Sequence, residues 1–127
     1  MLNYLYLLVP YLYSLIYSEQ LRLTPQELEQ YDGRDGKIYL ACGGLIFDVS
    51  DSPSYQKGGS YSMFAGKDAS VSLAKYSFKD EYLSMRPDEA NLSPSQLKAI
   101  MSWKKFYSEK YPIVGEIVYT SLKEEKL

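Results

Sequence analysis

The side chains with the capacity for chemistry in this chain are its tyrosines. There are 14 of them among 127 residues, and there is no histidine at all. Without histidine, neither a Ser-His-Asp nor a Cys-His nucleophile can be built. Histidine-dependent zinc sites and a bis-histidine haem are ruled out as well, and the lone Cys42 cannot make an all-cysteine metal site. A metal centre here would have to draw on a carboxylate, a methionine, Cys42 or a tyrosine. Cys42 lies in an apolar run, Tyr39-Leu-Ala-Cys-Gly-Gly, and reads as a small buried hydrophobe. One cysteine also excludes an internal disulfide. The net charge of −2, with lysines interleaved among acids, provides no field for nucleic acid.

Several elements must position these groups, and the chain is long enough for one domain with a real core. Thr24-Pro-Gln-Glu27 reads as a capped helix start, with proline in the first turn and a glutamate able to close a capping box. That helix should end near Tyr31, ahead of a turn at Asp32–Gly36. Two apolar runs, Lys37–Cys42 and Leu45–Val49, flank Gly43-Gly44 and predict a β-hairpin. Gln56–Ser60 reads as a flexible loop. Helical spacing marks Lys67–Tyr76, with Asp68 as its N-cap, and a second short helix is expected over Phe78–Met85. Ser93-Pro94-Ser-Gln96 repeats the capping pattern. After it, Leu97, Ile100, Met101, Lys104, Tyr107 and Tyr111 recur at spacings of three and four, defining one face. Ile113–Tyr119 reads as a last strand. This order predicts an α+β fold, a small mixed sheet with several short helices gathered on it.

Met1–Ser18 carries no charged side chain and five tyrosines. As a helix it would span about 27 Å, close to the hydrocarbon thickness of a bilayer. It reads as an N-terminal membrane anchor; a cleaved signal peptide, or a segment packed on the domain, are the alternatives. Residues 19–23 read as a connector, 24–120 as the domain and 121–127 as a charged tail.

The most specific pattern lies between residues 46 and 115. Ile46-Phe-Asp-Val49 is followed by Tyr55, Gly58-Gly59 and Tyr61, then by Phe64-Ala-Gly-Lys-Asp-Ala-Ser70. Leu73-Ala74, Trp103, Lys110-Tyr111 and Val114-Gly115 come after it. This set resembles the membrane-associated progesterone receptor family, the cytochrome b5-like haem/steroid-binding domains, over roughly residues 22–118. The resemblance implies a cytochrome b5-like fold whose pocket takes haem b, five-coordinate through Tyr61. It also implies that Tyr55, Lys110 and Tyr111 complete the cofactor site. It further implies a binding protein rather than an enzyme, with sterol or steroid ligands, a cytochrome P450 partner, a haem-dependent homodimer and a place on the endoplasmic reticulum membrane. A haem-free lipid-binding or interaction module, or a secreted member, are the alternatives. The chain departs from the common pattern at Gly59-Ser60-Tyr61, where the family usually has Gly-Pro-Tyr, at Lys57, where an acid is usual nearby, and at Pro112.

Independent chemistry bears on the iron ligand. An unperturbed phenol titrates at about 10. It binds ferric iron as phenolate, a form the cation itself favours. A neighbouring ammonium such as Lys110 would favour it further if it reached the oxygen. Tyrosinate prefers Fe(III), so such a centre would hold or deliver haem better than it would shuttle electrons.

Overall fold

The computed structural model describes residues 20–119. The anchor expected over residues 1–18 and the charged tail at 121–127 lie outside the described residues. Four strands and three α-helices alternate with single 3-10 turns. The strands are β1 (Leu21–Leu23), β2 (Tyr39–Cys42), β3 (Leu45–Asp48) and β4 (Ile113–Ile117); the helices are α1 (Pro25–Leu28), α2 (Ser70–Lys75) and α3 (Pro94–Lys110). They form one mixed sheet in the order β1-β4-β3-β2, with β1 parallel to β4 and the other neighbours antiparallel. The α+β expectation holds.

Local sequence explains most of these elements. Thr24 and Ser93 each close a capping box, with Glu27 and Gln96 respectively, and start α1 and α3. Gly43 and Gly44 take φ values of 61° and 90°, the left-handed pair that a two-residue hairpin between twisted strands requires. Alternation along β2 then sends Leu40 and Cys42 into one core and Tyr39 and Ala41 into another on the opposite face. The first core gathers Phe47, Phe64, Leu73, Ile100 and Tyr107 beneath α2 and α3. The second holds Leu28, Ile46 and Ile117. Cys42 is fully buried in the first, and burial pushes its thiol up to about 12. That is the environment of an inert packing residue.

Phe64–Ser70 runs along the free edge of β2. Gly66 N donates to Tyr39 O (2.8 Å), Ala41 N to Lys67 O (2.9 Å) and Ala69 N to Ala41 O (2.8 Å). The motif therefore covers a sheet edge that would otherwise be open. Asp68, at the middle of this segment, is fully buried. One carboxylate oxygen accepts from Ser70 N (3.1 Å) and Ser70 Oγ (2.7 Å), and the other from the Tyr119 hydroxyl (2.7 Å). Burial raises the Asp68 carboxyl above the usual range, against the opposing pull of these hydrogen bonds.

Four expectations need correction. Residues 21–23, read as connector, are strand β1; their partner lies at residues 115–117, and a three-residue strand has too little local pattern to be seen. The N-cap of α2 is Ala69, with Asp68 one position earlier, because Asp68 is committed to the bridge with Ala41. Phe78–Met85 contains only a single 3-10 turn, Asp80–Tyr82. On α3, Ile100 and Tyr107 are buried as expected, but Leu97 and Met101 are exposed because the helix is rolled so that Trp103, not Met101, meets the core. Among the described residues, no helix is long and apolar enough to cross a membrane.

Candidate functional site

A cavity of about 550 Å³ opens between the loop after β3, the end of α2 and one side of α3. Tyr55, Tyr61, Lys110 and Tyr111 all line it. Two come from the loop and two from the end of α3, some fifty residues later, so the capping box that starts α3 and the hairpin that starts the loop together set the distance between the halves.

The loop that carries Tyr55 and Tyr61 is held by its own backbone. Tyr61 N donates to Ser54 O (2.8 Å), and Gly59 N to Gln56 O (2.8 Å). The chain packs so closely that a Cβ on Gly59 would stand 2.3 Å from Pro53 O, so only glycine fits. This gives a concrete reason for the second glycine of Gly58-Gly59.

The tyrosines are not equivalent. Tyr55 is buried, and its hydroxyl lies 2.8 Å from that of Tyr107, also buried. Burial pushes the Tyr55 phenol up to about 12 and raises Tyr107 as well. Both are fixed as neutral hydroxyls. Tyr61 stands at the rim, 43% exposed, with its ring stacked parallel to Phe64 and tilted against Phe78. Among the described residues its hydroxyl engages no protein partner, leaving both lone pairs for a ligand. Tyr111 meets Tyr55 edge-on at 6.2 Å and Tyr107 at 5.8 Å, closing the floor. Lys110 sits with its ammonium 5.4 Å from the Phe106 ring and 5.5 Å from the Tyr111 ring. That places its charge against aromatic faces at the mouth, and among the described residues it has no hydrogen bond to Tyr61.

Sequence reasoning named Tyr107 only as a face residue of α3. Its spacing of four from Tyr111 was the available signal; its pairing with Tyr55 was not readable, since the partners are 52 positions apart. Phe106, Trp103 and Tyr76 also wall the cavity. Such a site is an apolar pocket with a few polar groups at its edges. Among the described residues, no group of three or more Cys, Asp or Glu side chains is placed to hold a metal ion. The unengaged Tyr61 oxygen, the aromatic walls and the ammonium at the mouth fit a flat, largely apolar ligand with an anionic edge, including haem.

Fold and site together define a cytochrome b5-like ligand-binding domain. Residues 24–118 match the family described as Cytochrome b5-like Heme/Steroid binding domain. The chain belongs to that family, in its membrane-associated progesterone receptor branch. It is 41% identical over 101 residues to probable steroid-binding protein 3 of Arabidopsis thaliana, covering 77% of this chain and 99% of that one. It is 44% identical to Arabidopsis membrane steroid-binding protein 2, over 75% of this chain but only 41% of that longer protein. It is 37% identical to the cytochrome P450 regulator dap1 of Schizosaccharomyces pombe, over 75% of this chain and 61% of that protein. A solved Arabidopsis protein described as having a cytochrome b5 like fold superposes with a TM-score of 0.69 at 36% identity, covering 79% of this chain and 93% of that one.

Proposed function

We propose that the chain is a haem-binding protein, with the Tyr61 phenolate on the iron, that serves sterol or steroid metabolism at a membrane rather than carrying out catalysis. The observation that carries this reading is the contrast between tyrosines. Among the described residues that line the cavity, Tyr61, Tyr76 and Tyr111 have hydroxyls with no protein partner, whereas Tyr55 and Tyr107 hold each other; of those three, Tyr61 is the one at the ligand position of the family motif. Tyr55 and Tyr111 would pack against the macrocycle, and Lys110 would meet an anionic edge. Bound haem would supply a ferric, five-coordinate centre of low potential, since tyrosinate is a hard anionic ligand. Phe64, Trp103 and Tyr107 would exclude water from the part of the bound group that the cavity encloses, and the open mouth would leave the rest accessible. That accessible part suits docking on a cytochrome P450, the kind of partner named for the yeast relative, or on a second copy of the chain. The charge-free residues 1–18 would tether it, in the endoplasmic reticulum membrane if retained; a mature N-terminus beginning after Ser18 would instead mark a secreted form.

Titration of the purified chain with ferric haem should give a saturable Soret band. In Tyr61→Phe the affinity should fall at least about tenfold, the loss of roughly one strong ligand interaction. Undiminished binding by that variant would overturn the ligand assignment. A second reading has its own support: the buried Tyr55–Tyr107 hydroxyl pair beside apolar walls suits the polar end of a steroid. It predicts saturable steroid uptake by a folded chain that shows no Soret band.

A further inference from the structure

A second cleft of about 740 Å³ shares Tyr55 with the aromatic cavity. Three cations line it, Arg34, Lys57 and Lys67, against one carboxylate, Asp32. Arg34 and Lys67 are each ion-paired, with Asp32 and Glu29, so Lys57 is the cation of the cleft without a carboxylate partner among the described residues. Asp32 is fully engaged: both its oxygens accept from the Arg34 guanidinium, at 3.0 and 2.9 Å. Arg34 uses two of its five donors in that fork and keeps the rest. Lys67 leans on Glu29 at 3.3 Å. Lys57 has no partner among the described residues, and the backbone amides of Lys57 and Gly58 donate to no protein acceptor there. Gly58, at φ 85°, turns the loop so that these two consecutive amides are left unpaired. Successive unpaired amides beside cations form an anion-binding concavity. The walls between the charges are apolar, from Ile38, Met63 and Ala65.

We propose that this cleft is a second binding site, for an amphiphile whose phosphate head is held by Arg34, Lys57, Lys67 and the Lys57–Gly58 amides while its apolar part lies on Ile38 and Met63. Tyr55 lines both this cleft and the aromatic cavity, so an occupant of the cleft touches a residue that also walls the first site. The site does not depend on Tyr61.

The test uses the full chain in phosphatidylcholine nanodiscs, read by the amide NMR signals of Lys57 and Gly58. Monomeric dihexanoyl phosphatidic acid and inorganic phosphate are titrated in one arm; in the other, phosphatidic acid is built into the nanodisc. Saturable shifts at both amides are expected. Shifts with inorganic phosphate identify a free anion as ligand, and shifts with phosphatidic acid, monomeric or in the nanodisc, but not with inorganic phosphate identify a lipid headgroup. Lys57→Glu breaks no protein contact and should weaken binding by roughly tenfold or more, as loss of one charge-assisted hydrogen bond does. Adding Arg34→Gln should weaken it further, and Tyr61→Phe should leave it intact even if haem binding is lost. Absence of saturable shifts in both arms, or equal affinity in a folded Lys57→Glu variant, overturns the proposal.

Discussion

Removing the Tyr107 and Tyr55 hydroxyls together should cost less than the sum of the two single removals. The two oxygens are 2.8 Å apart and their residues are 2% and 5% exposed. Tyr107→Phe leaves the Tyr55 hydroxyl dry and unpaired, a penalty of about 1–3 kcal/mol. The reverse substitution strands Tyr107 in the same way. In the double variant no orphan remains, and both rings still fill their places. The total should then fall below the sum of the single losses by about 1–2 kcal/mol. Because burial holds the Tyr55 phenol at about 12, the pair is neutral throughout the mild pH range, and the coupling should be the same at pH 6 and at pH 8. Urea unfolding followed by the fluorescence of Trp103, whose ring is 6.3 Å from that of Tyr107, measures all four proteins. Single losses that simply add, within about 0.5 kcal/mol, would refute the view that this pair is a buried, mutually satisfied unit.

Three further outcomes follow from the structure. Asp68→Ala strands the Tyr119 hydroxyl and two donors of Ser70 and should cost at least about 2 kcal/mol, whereas Asp68→Asn keeps an acceptor and should cost less. Burial raises the folded-state carboxyl above its unfolded value, so its contribution is fully present below the ordinary aspartate range and is lost as pH rises through the folded value. Urea midpoints of the native chain should therefore decline from about pH 4 upward relative to Asp68→Asn; parallel profiles would contradict this. Gly59→Ala drives a methyl into Pro53 O and Ser54 O and should displace Tyr61, costing about 1–3 kcal/mol and ligand affinity besides, while Gly58→Ala meets nothing within 4 Å and bears only the cost of its left-handed backbone. Thermal melts with parallel ligand titrations compare the two; equal effects would refute the close-approach argument.

What could be read in the sequence was what short-range chemistry encodes. Both capping boxes, the Gly43-Gly44 hairpin and the α+β composition depend on neighbours within four residues. The Tyr55, Tyr61, Lys110 and Tyr111 set came from motif resemblance, and the structure brings all four to one cavity. Long-range pairing was hidden: β1 against β4, Tyr55 against Tyr107, Asp68 against Tyr119. Periodicity also misjudged α3, because Leu97 and Met101 fit the apolar spacing yet face outward. A spacing of three and four identifies a stripe, but the roll of the helix is decided by the largest side chains, here Trp103 and Tyr107.

The parallel register of β1 has a mechanical consequence. Leu21 stands beside Gly115, and β4 begins directly after Tyr111-Pro112 at the cavity. The chain therefore enters the domain from the cavity end of the sheet, and Tyr111 lies about 13 Å back along the strand direction from the level of Leu21. Among the described residues, a pull on Gln20 is taken up in shear by the short pairing of Leu21–Gly115 to Leu23–Ile117 and the Val118 N–Leu23 O bond beyond it. A pull applied there loads the strand that leads out of Lys110-Tyr111 first, and the hairpin tip at Gly43-Gly44, at the far end of the sheet, last.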